Sequence, residues 1–559
     1  MTPVDYLVII LFSLMIFAIG LSFSRNSGKD MKSFFAAGGA VPWWINSLSL
    51  FMGFVSAGTF VVWGSIAYSS GWVAITIQWA MSVAGLLTGL LIAPKWHKTK
   101  SLTAAEYITN RLGIKTQKTY SYIYLGIMVF MTAVYLYAVA VILQVATGIP
   151  LFWCIGILGA IVILYTTLGG LWAVVVTDVL QFVILTAAAL IVLPLSFEKI
   201  GGIAGFVNTI DSHQIEGFFK LTDSKYTVSF LLGFLFYNFF YLSGQWSFVQ
   251  RYTSVSTPKE SRKVGILFGF LYVVSPLIWM LPPMIYRAIN PSLVGLQSEE
   301  AYMLMCKLVL PSGMLGLIII SLIFATNSSV QGVLNISAGV ITNDLYKNIY
   351  PGSTEKLLMV VAKLATVFFG LLAIVMAMMV PFMGGATNVV LSVASITGGA
   401  MYFPIIWSLF AKRQNSYTVL GSTLLSLSIS LGLKFLYPVI TGNSLSRASE
   451  MVVGVLVPVS VIALSEIWLR MQKSPPSEYD QYQHYLAEKS NVGLAETVAS
   501  DVSDGENRFG RKMIAIGILS TGFIIGFLGL MASMGKIYVL GVAFLLLMIG
   551  AGILSKALK

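Results

Sequence analysis

Hydrophobic residues fill most of the chain in long runs, and short polar segments separate these runs. A run of about 20 apolar residues is long enough to cross the hydrocarbon core of a bilayer as a helix. The pattern therefore predicts an all-α polytopic membrane protein with about fifteen spans. The expected spans are 5–23, 43–70, 72–94, 120–147, 151–168, 171–195, 227–250, 264–286, 301–340, 357–380, 385–411, 416–437, 450–470, 512–532 and 536–556.

Lysine and arginine are concentrated in alternate connections between these spans. The connection 95–119 alone carries Lys95, Lys98, Lys100, Arg111, Lys115 and Lys118. The other cations expected on the same side are Arg25, Lys29, Lys32, Arg251, Lys259, Arg262, Lys263, Lys347, Lys356, Lys412, Arg413, Arg470, Lys473, Arg508, Arg511 and Lys512. Because cytoplasmic loops are rich in such residues, we expect the N-terminus outside and, with an odd number of spans, the C-terminus in the cytoplasm.

The composition fits a multi-pass protein of the plasma (cell inner) membrane. Of 559 residues, 57% are hydrophobic and 10% charged, whereas roughly 25% are charged in a soluble domain. We assign the net charge of +12 to cytoplasmic loops and not to nucleic-acid binding. Cys154 and Cys306 give neither a disulfide framework nor a metal-binding spacing. The first 24 residues lack a basic start and a cleavage motif, so residues 6–23 are expected to be a retained span.

Counting spans divides the chain into seven segments. Two of them hold five spans each, and these two groups start on opposite sides of the membrane, so they are related by inverted topology. The segments are 1–42 (N-terminal span and cytoplasmic loop), 43–195 (first five-helix repeat), 196–226 (extracellular loop), 227–411 (second five-helix repeat), 412–472 (two accessory spans), 473–508 (cytoplasmic linker) and 509–559 (two C-terminal spans). The linker is polar; of a regulatory and an inert role, we expect the inert one.

Small and polar residues interrupt the predicted span 43–70 in the stretch SLSLFMGFVSAGTF (47–60). Gly53 and Gly58 bracket Ser56 there, and Thr59 follows. Glycine weakens a helix, so this stretch predicts an unwound segment. Small residues at the same positions also allow close packing of two helices, which is the simpler interpretation of this stretch alone.

Asp178 lies in the stretch VVVTDVLQF, in the half of span 171–195 that faces the cytoplasm. An ionisable side chain inside a span is usually functional, because charge is costly to bury in lipid. The alternative is a hydrated interfacial aspartate, or one that caps a helix after Gly169 and Gly170.

The stretch FATNSSVQGVLN (324–335) places polar residues in the middle of span 301–340. Residues three and four apart are neighbours on a helix, so the Ala325 carbonyl lies near the hydroxyls of Ser328 and Ser329. Three oxygens on one face form half of a site for a hard monovalent cation. The alternative is that these hydroxyls bond back to carbonyls of their own helix. Packing or backbone capping is expected for Thr326, Asn327 and Asn335.

Together these three features predict an ion-coupled transporter. In transporters with inverted repeats, ions bind where an unwound segment of one repeat meets a helix of the other. Carbonyls near Met52 and Val55, at the expected break, would complete the set of ligands.

Six motifs occur in order between residues 20 and 440. They are FAAGGAVPWW (35–44), TAAEYITNRLG (103–113), TGIPL (147–151), YTTLGGLWAVVVTDVLQ (165–181), VQRY (249–252) and ATNSSVQGVLNISAGVITNDLYK (325–347). In order and spacing they resemble the sodium/solute symporter family, which includes bacterial sodium/galactose and sodium/sialic acid transporters. The resemblance implies the LeuT-type fold, with two inverted five-helix repeats and alternating access.

The resemblance also implies a sodium site. Its ligands would be the carbonyls of Met52, Val55 and Ala325 and the hydroxyls of Ser328 and Ser329. Asp178 matches a family aspartate near the sodium exit path, which some relatives use in a second sodium site. The two further hydroxyl residues of that second site are here Gln331 and Gly332, so we expect one sodium ion.

The family's substrate positions are matched less completely. The substrate-binding residues implied are Ser56, Thr59, Gln78, Asn238, Tyr241, Gln245 and Tyr272. Met131 stands where the sialic acid branch has an arginine, Tyr272 replaces the lysine of the galactose branch, and Leu391 replaces its later glutamine. The implied pocket therefore offers hydroxyls, amides and aromatic rings, without a cation.

These groups favour a neutral polar substrate. A buried carboxylate usually needs an arginine or a helix N-terminus, whereas a polyhydroxyl ligand needs hydrogen-bonding side chains and an aromatic face. We expect a sugar, an N-acetylated amino sugar or a polyol, imported with sodium. The alternatives are a carboxylate solute such as sialic acid, or coupling to protons through Asp178.

Functions of other classes fit the sequence less well. His97, His213 and His484 fall outside the predicted spans, and no set of catalytic groups is evident, so we do not expect an enzyme. Channels usually carry rings of carbonyls or charges from repeated subunits, and inverted repeats fit alternating access better. The expected partners are sodium, a small solute and the bilayer, with no nucleic acid and no obligate protein partner.

Overall fold

The computed structural model describes residues 1–24, 41–101, 103–166, 171–213, 215–350, 352–472, 477–493 and 500–558. Helices joined by turns make up these ranges, which contain no strand. Helices suit a chain in lipid, because each one satisfies its own backbone hydrogen bonds.

Nine helices make up the first part of the described chain. They are α1 (Pro3–Ser24), α2 (Trp43–Phe54), α3 (Thr59–Ser70), α4 (Val73–Lys98), α5 (Ala104–Leu112), α6 (Ile114–Thr147), α7 (Leu151–Thr166), α8 (Leu171–Lys199) and α9 (Gly202–Ser212).

Twelve further α-helices of eight or more residues follow in the described chain. They are α10 (Val228–Gly244), α11 (Trp246–Thr253), α12 (Pro258–Ile289), α13 (Ala301–Val309), α14 (Met314–Gly339), α15 (Glu355–Met379), α16 (Gly385–Ser408), α17 (Ser416–Thr441), α18 (Arg447–Met471), α19 (Ser477–Gly493), α20 (Ser500–Met531) and α21 (Lys536–Leu558).

The helices indicate a multi-pass membrane protein. Within the described ranges, 11 helices are long and apolar enough to cross a membrane, and α2 with α3 makes a twelfth as one bent pair. Three shorter apolar helices, Pro3–Ile19, Leu151–Ile163 and Val228–Gly244, lie at three of the other expected spans. The total of fifteen therefore stays a prediction.

The structure differs from the predicted spans at two places. The expected span 227–250 is interrupted at Gln245, which adopts an extended backbone with φ −66° and ψ 129° between α10 and α11. The expected span 301–340 is two helices, because Leu310 is extended and Gly313 is left-handed with φ +88°. A positive φ favours glycine, and Gly313 gave the sequence signal for this second interruption.

The membrane helices form two packed groups. In the first helix group, α12 packs against α2, α3 and α4, and α4 also packs against α10. In the second helix group, α6 packs against α7, α14 and α15, which also contact one another. The helices α8 and α16 each touch both groups, so the interface between the groups has a helix at either flank.

Glycine brings the backbones of α4 and α12 into direct contact inside the first helix group. A Cβ atom added at Gly265 would lie 2.5 Å from the Cα atom of Gly89, and one added at Gly89 would lie 2.7 Å from the nitrogen of Ile266. Any larger residue at these positions would separate the two helices, so we expect α4 and α12 to move together.

One carboxylate of the N-terminal helix α1 contacts the start of α14. Asp5 is buried, and its Oδ1 accepts hydrogen bonds from the backbone nitrogens of Gly313 at 2.8 Å and Gly316 at 3.0 Å. Asp5 therefore caps the first turn of α14, where an anion is favoured by the helix dipole. This contact puts the starts of α1 and α14 on the same side of the membrane, as the predicted topology requires.

The expected linker 473–508 contains a docked helix, α19. The Nζ atom of Lys489 lies 2.9 Å from Oε1 of Glu106 on α5. The buried ring of Tyr482 packs edge-on against Tyr107, with 5.7 Å between the ring centroids. The segment thus contacts the connection between α4 and α6, which composition alone did not indicate.

Candidate functional site

The first helix of the first repeat is broken in its middle. Residues 55–58 separate α2 from α3, and the two helix axes differ by 62°. Val55 is extended, with φ −88° and ψ 133°, which stops the helix there. The carbonyls of the last turn of α2 consequently have no partner further along the same helix. The expected unwound segment is confirmed, and it lies at the predicted residues.

The helix α14 faces this break with the hydroxyls of Thr326 and Ser329. The hydroxyl of Ser329 lies 3.3 Å from the carbonyl oxygen of Gly53 and 3.4 Å from that of Ala325. Both distances are long for a hydroxyl donor, so neither bond holds the hydroxyl firmly. The structure thus places the Ser329 hydroxyl within reach of both the Ala325 carbonyl and the carbonyl of Gly53, the residue that follows Met52.

Thr326 fixes the break from the side of α14. Its hydroxyl donates to the Leu322 carbonyl at 2.9 Å and accepts the backbone N–H of Ala57 at 2.8 Å. The expected backbone capping by Thr326 is confirmed. The N–H group that it caps belongs to Ala57, in the break between α2 and α3, and not to α14 itself. Asn327 is buried, and its Oδ1 has no hydrogen-bond partner within the described ranges.

Asp178 lies beside the same helix and is fully buried. Its Oδ1 accepts the hydroxyl of Ser328 at 2.6 Å, and its Oδ2 accepts the hydroxyl of Ser49 at 2.6 Å. The Nη2 atom of Arg251 lies 3.8 Å from Oδ2. Asp178 is therefore neither hydrated nor at the end of its helix, and both of its oxygens are engaged.

The oxygens around Ser328 and Ser329 suit a small monovalent cation. Hydroxyls and carbonyls are hard, neutral ligands, which bind such an ion without bringing a second full charge into the site. Ser328 gives its hydroxyl hydrogen to Asp178, so the lone pairs of its oxygen remain free to accept. Met52, Val55 and Ala325 are fully buried, as a site inside the membrane requires. The ligand assignment itself stays a prediction.

Aromatic rings surround the break on the side of the first helix group. Phe54 packs on Tyr241 with 6.0 Å and on Tyr272 with 5.5 Å between ring centroids. Tyr237 stacks on Tyr241 at 5.8 Å. Two of the predicted substrate residues, Tyr241 and Tyr272, are thus brought together by Phe54, which the sequence did not single out.

Gln78 differs from the other predicted substrate residues in its hydrogen bonding. It is 0% exposed on α4, and neither its Oε1 nor its Nε2 has a partner among the described residues. Buried amides are nearly always hydrogen-bonded, so an amide without a protein partner is a candidate for binding a ligand. Gln78 lies on the helix that packs against both α10, with Asn238 and Tyr241, and α12, with Tyr272.

Gln245 and Asn238 already have protein partners. The Oε1 atom of Gln245 accepts the backbone N–H of Phe248 at 3.1 Å and so caps α11, while its Nε2 donates to the hydroxyl of Tyr124 at 3.2 Å. The Nδ2 atom of Asn238 donates to the Phe234 carbonyl at 2.8 Å. Gln245 thus holds the break between α10 and α11, and this is the role that its contacts support.

Contacts cover the site at the end expected to be extracellular. Glu299, in the short 3₁₀ helix Gly295–Glu300, accepts the hydroxyl of Tyr137 at 3.0 Å and the backbone N–H of Thr387 at 3.2 Å. Burial raises the pKa of Glu299, and these hydrogen bonds oppose the shift. The carboxylate ties the connection before α13 to α6 and to the start of α16.

Contacts also cover the opposite end. The guanidinium of Arg111, on α5, donates to the carbonyls of Ala411 at 3.1 Å and Gln414 at 3.0 Å. The hydroxyls of Tyr107 and Ser408 are 2.9 Å apart. The connection between α4 and α6 is thereby tied to the end of α16, so both ends of the interface are bridged in this conformation.

Two cations expected in loops are buried instead. Arg251 lies in α11 beside Asp178 and Ser49, and Arg111 lies under the end of α16. A hydropathy pattern assigns such cations to loops, since it reads each residue only with its neighbours along the chain. Only the fold shows which carboxylates and carbonyls these side chains meet. Arg251 lies in the motif VQRY, but the span pattern places it among the loop cations.

Comparison with known proteins relates the sequence to sodium-coupled transporters. A profile of the sodium:solute symporter family matches residues 34–425. Sodium/myo-inositol cotransporter 2 of Mus musculus is 28% identical over 476 residues, which cover 77% of this chain and 70% of the relative. The sodium/sialic acid symporter of Proteus mirabilis is 25% identical over 485 residues, covering 83% and 97%. The sodium/glucose cotransporter of Vibrio parahaemolyticus is 26% identical over 465 residues, covering 78% and 85%.

Two solved structures share the architecture. A substrate-bound, outward-open, sodium-coupled sialic acid symporter superposes with a TM-score of 0.69 at 24% identity and covers 84% of this chain and 98% of its own. A transporter of the nucleobase-cation-symport-1 family in a closed conformation superposes with a TM-score of 0.52 at 14% identity, covering 80% and 97%. At these identities the likeness shows the fold, which is that of the LeuT-like transporters.

Proposed function

The chain belongs to the sodium:solute symporter family, and on this premise we propose that it imports one sodium ion together with one neutral polar solute by alternating access. The solute class is sugars, N-acetylated amino sugars and polyols. Sodium occupies the site formed by Met52, Val55, Ala325, Ser328 and Ser329, and the solute lies on the other side of the break.

The hydrogen bonding of the break carries the choice of a neutral solute. The N-terminus of a helix such as α3 is the usual place for a carboxylate, because its N–H groups are free. Here the N–H of Ser56 donates to the Thr59 hydroxyl at 3.2 Å, that of Ala57 to Thr326, and that of Gly58 to the Ser56 hydroxyl at 3.1 Å. These three backbone N–H groups are therefore not free to bind a carboxylate.

The side chains that remain available match a polyhydroxyl ligand. The Gln78 amide offers one donor group and one acceptor, and the rings of Tyr241 and Tyr272 offer apolar faces for a sugar ring. Two of the relatives above are named for glucose and myo-inositol, which are neutral. The relative named for sialic acid makes a carboxylate solute the alternative, and it would need a cation that the predicted pocket residues do not supply.

Sodium is the coupling ion that the site geometry supports best. A proton-coupled mechanism through Asp178 would need a carboxylate that can exchange its proton. Asp178 instead accepts two hydroxyl hydrogens and lies against Arg251, which stabilises its charged form. The hydroxyls and carbonyls of the neighbouring site need no proton to bind a cation.

The two helix groups give a physical basis for alternating access. Sodium ligands come from α2, in the first helix group, and from α14, in the second, so a bound ion joins the groups across their interface. The glycine contact between α4 and α12 lets the first helix group move as one body. Opening to one side then requires breaking the Glu299 contacts, and opening to the other requires breaking the Arg111 contacts.

Uptake into proteoliposomes tests this proposal. The purified protein is given an inward sodium gradient, or a potassium gradient of equal size, with radiolabelled D-glucose, D-galactose, N-acetyl-D-glucosamine, myo-inositol or N-acetylneuraminic acid. We expect sodium-dependent accumulation of at least one of the four neutral compounds. Uptake of N-acetylneuraminic acid alone would refute the neutral solute, and uptake that is equal in potassium would refute sodium coupling.

A pair of serine variants links the result to the site. Ser329→Ala removes a proposed sodium ligand, whereas Ser337→Ala removes a buried hydroxyl two turns further along α14 that has no hydrogen-bond partner in the described structure. We expect a strongly raised sodium requirement for the first variant and no change for the second. Equal behaviour of the two variants would contradict the site.

A further inference from the structure

Two residues that close the end of the interface expected to be cytoplasmic are each in contact with an aromatic ring of α19. The ring of Tyr107, whose hydroxyl lies 2.9 Å from that of Ser408, meets the ring of Tyr482 edge-on at 5.7 Å. The guanidinium of Arg111 lies 5.3 Å from the ring centroid of Tyr479. The rings of α19 therefore form a layer directly over the contacts that hold this end closed.

The helix α19 is anchored near both of its ends. Near its start, the carboxylate of Glu478 accepts the backbone N–H of Ser416 at 2.9 Å and the hydroxyl of that serine at 2.8 Å. Near its end, the Nζ atom of Lys489 lies 2.9 Å from Oε1 of Glu106 and donates to the carbonyl of Lys100 at 2.8 Å. The two anchors are 11 positions apart in the sequence (489 − 478). At a rise of about 1.5 Å per residue, α19 therefore bridges about 16 Å between the start of α17 and α5.

Tyrosines recur every three residues on the docked face of α19. They are Tyr479, Tyr482 and Tyr485, and residues three apart are neighbours on the surface of a helix. Gln483 and His484, between them, are exposed. A helix of 17 residues is only marginally stable in water without packing against a partner. The docked position of α19 therefore depends on this stripe of rings, and loss of one ring is expected to release the helix.

We propose that α19 is an autoinhibitory clasp, which holds the inner end of the interface closed and whose detachment favours opening to the cytoplasm. Opening there separates α5 from the end of α16, and this movement breaks the contacts of Tyr107 and Arg111. The same movement removes the surface on which Tyr482 and Tyr479 are packed. A segment that binds one conformation better than another shifts the equilibrium toward the first, so docked α19 favours the closed inner end. This inference rests on the proposed alternating access and specifies what restrains one of its two openings.

Reaction of a single introduced cysteine with N-ethylmaleimide reports opening and needs no transported solute. The purified, full-length protein is used, with the two buried cysteines Cys154 and Cys306 replaced by alanine. Ser408→Cys in this parent reports the inner end of the interface. Ser65→Cys reports the outer end, because the hydroxyl of Ser65, on α3, lies 2.6 Å from that of Ser298 in the 3₁₀ helix.

Two variants of Tyr482 form the matched pair. Tyr482→Ala removes one ring of the clasp, whereas Tyr482→Phe keeps the ring and removes a buried hydroxyl that has no hydrogen-bond partner among the described residues. We expect Tyr482→Ala to speed labelling at position 408 about fivefold, the contribution of a buried aromatic pair, without speeding labelling at position 65. Tyr482→Phe, and Gln483→Ala on the exposed face, should label at the parent rate at both positions.

The two reporter positions separate the clasp from a general loosening of the fold. An unchanged rate at position 408 in Tyr482→Ala overturns the clasp. Faster labelling at both positions also overturns it, because a purely structural role of α19 would not distinguish the two ends.

Where Tyr482→Ala does not fold, Lys489→Glu decides. We expect faster labelling at position 408, which the exchange Glu106→Lys/Lys489→Glu restores to the parent rate; an unchanged rate in Lys489→Glu, or one that the exchange does not restore, overturns the clasp. Equal labelling in sodium and in potassium at both positions counts against the proposed sodium site instead, and the tyrosine variants still decide the clasp.

Discussion

The hydrogen bond from Ala57 to Thr326 is expected to hold the broken helix in its ion-binding shape. Thr326→Val keeps the size and branching of the side chain and removes the hydroxyl that accepts this N–H at 2.8 Å. The Ala57 N–H is buried in the break, and Val offers it no replacement acceptor. The proposed ligands Met52 and Val55 lie within five residues of it, so relaxation of the break would move them.

The size of the effect follows from the burial of this group. A buried N–H that loses its only acceptor costs about 1–3 kcal/mol. Because 1.4 kcal/mol corresponds to about a factor of ten, this equals a change of about 5- to 150-fold in an equilibrium constant. The cost falls on sodium binding, since binding must restore the geometry that Thr326 no longer fixes.

Binding of ²²Na⁺ to the purified protein measures the change, with Thr521→Val as the matched control. Thr521 is also fully buried, and its hydroxyl donates to a carbonyl of its own helix at 2.8 Å, as Thr326 does at 2.9 Å. It lies in α20, outside both helix groups. Loss of a buried acceptor predicts a larger difference in sodium affinity between the two variants than about twofold. An affinity of Thr326→Val that lies within this range of the affinity of Thr521→Val would refute the capping role.

Three further variants test other parts of the structure. Ser328→Ala should weaken sodium binding by at least about tenfold, since it removes a ligand and a donor to Asp178; unchanged ²²Na⁺ binding would exclude it from the site. Asp5→Ala should lower the unfolding free energy by about 1–2 kcal/mol through loss of the α14 cap, which reversible unfolding in SDS measures. Gln78→Leu should raise the melting temperature without solute and abolish solute uptake; retained uptake would remove Gln78 from the pocket.

The helix α19 gives the expected linker a structural role. It contacts α5 through Lys489 and Tyr482, and α5 is tied to the end of α16 by Arg111. These contacts join three segments on the side expected to be cytoplasmic. Opening of that side would have to separate at least some of them, so we expect α19 to resist this movement.

Much of the architecture was readable from the hydropathy pattern because each span is a local run of apolar residues. Glycine and serine in the stretch 47–60 predicted the break between α2 and α3, and the polar stretch 324–335 marked the helix that faces it. The break at Gln245 was missed because a window as long as a membrane span averages the apolar α10 with the more polar α11 that follows it. The helix α19 was missed because its polar sequence is stabilised by contacts with α5, which no local pattern reveals.

The sequence by itself determined that the protein is a many-helix membrane transporter, that one helix is interrupted within residues 47–60, and which oxygen-bearing side chains lie one turn apart. It did so because helix formation and membrane insertion depend on neighbours along the chain. Only the tertiary structure decided what those side chains meet. Ala57 and Thr326 are 269 residues apart, and Ser328 and Asp178 are 150 apart, yet each pair is hydrogen-bonded. The pairing of Arg251 with Asp178 likewise depends on how the helices pack, because a buried charge is satisfied by whatever the fold places beside it.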